Sequence, residues 1–507
     1  MKSGSGRSVY HAEKYLTEPP QAAMLKTVLA TLLALSLSAQ ATGQSKESKF
    51  LWISDLHLNP MAMPRNTDPK LTAELVNKLA DSDVKQWEAI LEDKQPAWFS
   101  VYGSDTNWWL LKSALQDFPK KLQHPAFVMV TGDLLAHGFH DNFEKYAENK
   151  DQKAYRAFVL KTVQFLALEI QRAFPGTKIF ITPGNNDDDC GDYAIVPGGP
   201  FLSDTAPIAR KLAGGDKRFD RSWKTLGSFN VALPGARNVR VVSFNSVVFS
   251  QKRLASGLRE GCKKSSPEDG SKLMEWLGKN LKDAKKSDQK VWLMFHIPPG
   301  IDGYDTAQKN KPSSGGGADT ATTCGPITPM WAPQWTSQFD GLLAEYSSTV
   351  LAGFAAHIHS DDFRLIGPAG ASRKFVLLNP AISPVYGQNP GFRVVSYRND
   401  GTVTDQTTYY LSNLTCADCA PDGNWIEEYM FTSWWNVDNL DAASLSKVYD
   451  QVVADEGKAR QQWLDDFAVL GPTEKDEKGF VRALYCADAG LSVEEYKACY
   501  CGPQASH

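Results

Sequence analysis

The sequence predicts an α/β fold, on the recurrence of apolar strand-like runs, the helical patterns between them, and the polar residues that follow the runs. The runs cover residues 50–53, 127–130, 178–181, 239–244, 291–295, 350–354, 375–378 and 393–397. Runs of four to seven residues rich in Val, Ile, Phe and Leu, alternating with helical patterns, are the signature of layered α/β architecture. Between the second and third runs, Tyr155, Phe158, Val159, Val163, Leu166, Ile170 and Phe174 recur every three or four residues until Pro175-Gly176. That spacing lays one apolar stripe along a helix, and the Pro-Gly pair ends it. Residues 310–323, rich in Ser and Gly, read as a mobile loop beside the site, because strand signals resume after it. Past Tyr410 the character changes to helical patterns at 442–453 and 460–469 with clustered cysteines. This places a large α/β domain at 48–410 and a small helical, cysteine-containing C-terminal domain at 411–507.

At 507 residues and 42% hydrophobic content, the chain can bury a large core and more than one domain. A net charge of -4, with both signs mixed along the chain, indicates neither a nucleic-acid stripe nor a polybasic membrane patch, so no stable nucleic-acid complex is expected. Residues 24–41 read as a signal peptide: Lys26 is the positive region, 28–37 the apolar region, and Ala39-Gln40-Ala41 the cleavage pattern. The apolar run is shorter than the roughly 20 residues a membrane span needs, so no transmembrane anchor is expected. Translation is expected from Met1 or from Met24, and the mature protein is expected to be secreted or periplasmic. The eight cysteines then read as disulfides. Zinc ligation by Cys416-x-x-Cys419 and Cys499-x-Cys501 is the alternative, disfavoured by the exported setting.

Five short segments carry the chemistry, each just past an apolar run: Asp55-Leu56-His57, Gly132-Asp133, Gly184-Asn185-Asn186-Asp187, Phe295-His296 and His357-Ile358-His359. Loops at strand ends gather in space in α/β sheets, so residues far apart in sequence converge. Carboxylates and imidazoles in this number form a set for two divalent ions, which need a shared negative charge between them; Asp133 is the candidate bridge. Such a pair activates water for in-line attack on phosphorus.

These segments resemble those of the calcineurin-like metallophosphoesterase superfamily. The finer resemblance is to acid sphingomyelinase-like phosphodiesterases, a group that also includes endopolyphosphatases. It rests on Tyr102-Gly103-Ser104-Asp105, on residues 132–137, on residues 379–384 followed by 389–393, and on the cysteine-rich tail. The resemblance implies a four-layer α/β/β/α sandwich with a small helical C-terminal domain. It implies that Asp55, His57, Asp133 and His359 hold one metal, and Asp133, Asn185, His296 and His357 the other. Imidazole and oxygen donors suit zinc first, with manganese or iron as alternatives. Purple acid phosphatases place a tyrosine three residues after the bridging aspartate, where this chain has Ala136, so an iron-tyrosinate centre is not expected.

Two departures matter. The superfamily commonly has histidine where this chain has Asn186, and an amide cannot protonate a leaving group. His137, four residues past Asp133, is therefore the candidate general acid; Asn186 is read as a phosphate contact or a turn residue. Ala356 replaces a customary glycine before the paired histidines, where a methyl group is expected to alter packing more than ligation. The bland readings are a solvated acidic turn for Asp187, Asp188 and Asp189, surface or core roles for His124 and His140, and buried ballast for Trp108 and Trp109.

The leading expectation is an exported binuclear-metal phosphodiesterase acting through a metal-bridging hydroxide. Mammalian-type sphingomyelinases carry a saposin-like domain before the catalytic core, and the residues between Ala41 and Phe50 are too few for one. This favours soluble phosphodiesters, nucleotides or polyphosphate over bilayer sphingomyelin. The alternatives are an endopolyphosphatase or nucleotide phosphatase, with Lys120, Lys121, Lys252, Arg253, Arg259, Lys263 and Lys264 as possible groove cations, and a binding protein with a degenerate phosphoesterase fold.

Overall fold

The apolar runs become strands, and the strands set where the polar loops lie. The computed structural model describes residues 47–254, 262, 266–310, 325–416, 418–454, 457–472 and 480–502. The 24–41 signal-peptide reading and nearly all of the 310–323 loop lie outside the described residues. Among those described, the strands are β1 (Ser48–Ile53), β2 (Val128–Val130), β3 (Ile179–Ile181), β4 (Phe229–Ala232), β5 (Val239–Ser243), β6 (Lys290–Met294), β7 (Val350–Ala355), β8 (Asp362–Ile366), β9 (Lys374–Leu378), β10 (Gly391–Tyr397), β11 (Val403–Leu411) and β12 (Trp425–Met430). Each predicted run falls on one of them.

They form two six-stranded sheets, ordered β12-β11-β10-β1-β2-β3 and β4-β5-β6-β7-β9-β8. In the first, β1, β2 and β3 are parallel; in the second, β5, β6, β7 and β9 are. The parallel strands therefore deliver their C-terminal loops to one end of each sheet. Aromatic side chains fill the space between the sheets: Phe50 stacks on Phe127 at 4.6 Å and meets Trp292 and Phe354 at 5.6 Å, while Trp52 meets Phe354 edge-on at 5.2 Å. These fully buried rings fix the sheet-on-sheet packing through large apolar area and preferred ring geometry.

Helices cover the outer faces. The predicted amphipathic helix is Gln152–Ala173, capped by Asp151, whose carboxylate accepts from the Ala154 amide at 2.6 Å. Its stripe of Tyr155, Phe158, Val159, Val163, Leu166 and Ile170 is buried. Trp108 and Trp109 open the helix Trp108–Lys121 and are core residues, as the bland reading has it.

Beyond residue 411 the chain first adds an edge strand: β12 pairs antiparallel with β11. Helices Ala442–Ala454, Lys458–Phe467, Phe480–Ala489 and Val493–Tyr500 follow. Cys416 pairs with Cys419, Cys486 with Cys499 and Cys190 with Cys262, and Cys501 is also disulfide-bonded, so the zinc alternative for these cysteines is overturned. Among the described residues, no helix is long and apolar enough to cross a membrane.

Candidate metal centre

The sheet hydrogen bonding does not stop where the strands do. Past β1 and β2, Asp55 N–H donates to Gly132 O (3.1 Å), His57 N–H to Asp133 O (3.0 Å) and Leu58 N–H to Leu134 O (2.9 Å). Ala356 N–H donates to His296 O (2.9 Å), and Ser383 N–H reaches back to Asp55 O (3.1 Å). The ligand-bearing loops are thus extensions of the ladders, held as tightly as strand backbone.

That hold sustains strain. Asp55, His57, Asp133, His357 and His359 all have positive φ, between 40° and 75°. A non-glycine residue in the left-handed region costs about 1–2 kcal/mol, and such outliers gather where surrounding structure over-determines them for function. The glycines explain themselves by close approach. A Cβ on Gly184 would lie 2.1 Å from Asp133 N and Oδ1, and one on Gly132 would lie 2.8 Å from Gly184 N. The second and third motifs are packed backbone against backbone.

The side chains meet as two clusters. Asp55, His57 and His359 form one; Asp133, His296 and His357 form the other. His57 Nε2 lies 3.1 Å from His359 Nε2, which is 3.6 Å from Asp55 Oδ1. Asp133 Oδ2 stands between the clusters, 3.4 Å from His57 Nε2 and 3.3 Å from His296 Nε2. Asn185 Oδ1 faces His296 Nε2 at 2.9 Å. His57 and His296 each give Nδ1–H to a backbone carbonyl, of Leu135 (2.9 Å) and Thr131 (2.7 Å), which leaves both Nε2 lone pairs facing inward.

The electrostatics fit divalent cations. Both Asp55 carboxylate oxygens are buried with no hydrogen-bond partner, and burial pushes this carboxyl up to about 7. Burial opposes charge at Asp133 too, but His296 beside it and the Asn186 amide outweigh it and hold the carboxyl well below its ordinary value. Burial, reinforced by the charge of His137, lowers His57 to about 4, so it is a neutral donor at pH 7. Beside Asp133 and Asp55 the His296 imidazole overcomes the effect of its burial and is raised to about 9, so a proton stands where a cation would. Two buried carboxylates and four imidazoles converging in this way are the donor set of a two-ion site.

Around this centre the other expected residues divide. His137 stacks on His57 at 4.3 Å, gives Nδ1 to Asp105 Oδ1 (3.0 Å), and turns Nε2 toward Tyr386 Oη (3.3 Å). Asp105 also accepts the His137 main-chain N–H (2.8 Å) and the Ser383 hydroxyl (3.2 Å). Asn186 is a turn residue whose main-chain and side-chain N–H groups donate to Asp133 at 2.8 and 3.0 Å, which places its amide on the carboxylate that stands between the clusters.

The solvated acidic turn is corrected, since Asp187, Asp188 and Asp189 are all buried. Asp187 accepts from Leu134, Leu135 and Gly184 amides, stapling the second motif to the third. His140 pairs with Asp141 and Glu144, and His124 is exposed, both outside the clusters. Ala356 is fully buried, in keeping with a packing role.

A cavity of about 460 Å³ opens over the centre. Asp133, Asn185, His137, His357 and His359 form one end, and Leu464, Phe467, Phe480 and Leu484 from the C-terminal helices form an apolar wall. Of the expected groove cations, Lys252 lines the cavity and pairs with Asp302 (3.2 Å), whereas Lys120 and Lys121 pair with Asp117 on an outer helix. Arg259, Lys263 and Lys264 lie outside the described residues.

Sequence reasoning passed over Asp192, Tyr193 and Tyr386, and quoted Asp105 without a role. Asp105 stands 32 residues before His137, and only folding shows that it clamps that ring.

Comparison with known proteins agrees with this geometry. Residues 48–322 match the calcineurin-like phosphoesterase family, and residues 374–499 match the acid sphingomyelin phosphodiesterase C-terminal region. The chain is 25% identical to sphingomyelinase phosphodiesterase D of Dictyostelium discoideum, covering 82% of this chain and 85% of that one. It is 22% identical to a cyclic GMP-AMP phosphodiesterase of Rattus norvegicus (92% and 94% covered) and 23% identical to acid sphingomyelinase-like phosphodiesterase 3b of Homo sapiens (90% and 90%). The chain belongs to the calcineurin-like phosphoesterase family, hydrolases of phosphoric esters, and its relatives are acid sphingomyelinase-like phosphodiesterases.

Proposed function

We propose that the protein is an exported two-metal phosphodiesterase in which Asp55, His57, Asp133 and His359 hold one ion and Asp133, Asn185, His296 and His357 the other, with zinc as the resident metal. The observation that carries this reading is Asp133 Oδ2, set at nearly equal distance from an imidazole of each cluster. Bound divalent ions polarise phosphoryl oxygens and lower the pKa of water. The chain's own groups do the rest. Asn186 positions Asp133 through its two N–H donors. His137, held by Asp105 with Nε2 turned to the cavity side, delivers the proton that the leaving oxygen needs. In this reading residues 48–410 supply the chemistry and 411–507 the cover, although the two share one sheet through β11 and β12.

The cavity supports an organic phosphodiester or nucleotide over polyphosphate as substrate. The cations that line it, Lys252 and Arg364, are both paired with carboxylates, Asp302 on one side and Asp362 and Asp488 on the other, so among the described residues no basic track for a long polyanion lines the cavity, while the apolar wall suits an organic substituent. Disulfides support an oxidising, secreted or periplasmic setting. A hydrolysis panel with added zinc or manganese tests the reading across sphingomyelin, nucleotides, simple diesters and polyphosphate. Cleavage of organic diesters with polyphosphate untouched is expected. Exclusive cleavage of polyphosphate contradicts the substrate assignment, and no cleavage of any substrate after metal addition contradicts the mechanism.

A further inference from the structure

The imidazoles at this centre are held in two different ways. His57 and His296 are oriented by backbone carbonyls, which no side-chain substitution removes. His357 is turned the other way: its Nε2 lies 3.3 Å from Tyr193 Oη, with the rings edge to face at 6.0 Å. When Nε2–H is given to the phenol oxygen, the Nδ1 lone pair is the atom left for the Asp133 cluster.

The preceding residue does the same for another donor. Asp192 Oδ1 accepts from Asn185 Nδ2 at 2.7 Å. A carboxylate only accepts, so this contact fixes which end of the amide is nitrogen and leaves Asn185 Oδ1 facing His296 Nε2 at 2.9 Å. The two residues are locked to the loop they serve, since Tyr193 N–H donates to Asn185 O at 2.9 Å. Tyr193 is buried, with φ 57°, a conformation that L side chains rarely adopt and that the surrounding contacts impose.

We propose that Asp192-Tyr193 is the positioning element of the second metal site, setting the amide orientation of Asn185 and the ring nitrogen that His357 presents. The inference rests on the two-metal reading above. It adds that two donors of the second site, Asn185 and His357, take their orientation from this adjacent pair of side chains, whereas in the first His57 is held by the Leu135 carbonyl and His359 faces Gln388. Substitution there should separate the two metals.

The test is titration of metal-stripped protein with zinc and with cobalt, read as stoichiometry and as the affinity of each equivalent, beside thermal unfolding of the stripped proteins. Wild type should take up two equivalents. Tyr193→Phe and Asp192→Ala should each keep one equivalent at wild-type affinity and weaken the other by about 10–100-fold, the usual loss when a partner behind a ligand is removed. Asp192→Asn retains an acceptor oxygen and should stay close to wild type. The retained first equivalent and an unchanged unfolding temperature mark an intact fold. Two wild-type-affinity equivalents in both Tyr193→Phe and Asp192→Ala overturn the proposal, as does equal weakening of both equivalents. A wild type that takes up one equivalent or none overturns the two-metal reading itself.

Discussion

The two ends of the cavity are built by opposite means. At the metal end, polar side chains stand on loops that continue the sheet ladders, with strained backbone held by hydrogen bonds such as His57 N–H to Asp133 O. At the other end, Leu464, Phe467, Phe480 and Leu484 project from short helices packed through apolar contact. A phosphoryl centre needs donors fixed within tenths of an ångström, which ladder-borne loops provide. A substituent needs only shape and apolar area, which helices tied by Cys486–Cys499 supply. In the proposed reading, chemistry and substrate choice thus fall to separate parts of the chain.

The sharpest way to break this division is at the shared carboxylate. Asp133→Asn removes the negative charge between the clusters, and activity should fall by at least about 10³-fold with loss of metal content. His137→Ala should come next: about 10²–10⁴-fold slower cleavage of diesters with alkoxide leaving groups, and a much smaller loss on p-nitrophenyl substrates. Equal losses on the two substrate classes count against the proton-donor role.

At the helical end, Phe480→Ala should raise KM about tenfold for diesters with a large apolar substituent and leave kcat for a minimal diester near wild type. A fall in kcat on the minimal diester would mean that this wall also shapes the metal end. The smallest effect is expected at Lys120, an exposed partner of Asp117, where Lys120→Ala should change stability by less than about 1 kcal/mol. Its unfolding temperature and polyphosphate binding should match wild type.

The same division explains what was legible in the sequence. The parallel strands are buried on both faces and read as continuous apolar runs, so they and the ligands just past them stand out. The missed strands carry polar residues for local reasons. In β8, Asp362 and Arg364 are buried as an ion pair with Asp488 of a C-terminal helix, which hides the strand's burial. In β12, Glu427 and Glu428 sit mid-strand between buried Trp425 and Tyr429, the pattern of an edge with one packed face. The residues that orient ligands were illegible because they lie in loops without periodicity; Asp105, Tyr193 and Tyr386 acquire roles only when the loops meet. The acidic turn misled because charge alone does not reveal that its carboxylates are buried, Asp187 as a staple between two loops.

Anomalous X-ray diffraction at the zinc edge, on crystals of the purified protein supplied with zinc, tests the central claim most directly. Two peaks should appear, about 3.5–4 Å apart, one on each side of Asp133 Oδ2. A fully active protein with one peak, or with none at Asp133, would contradict the two-metal account.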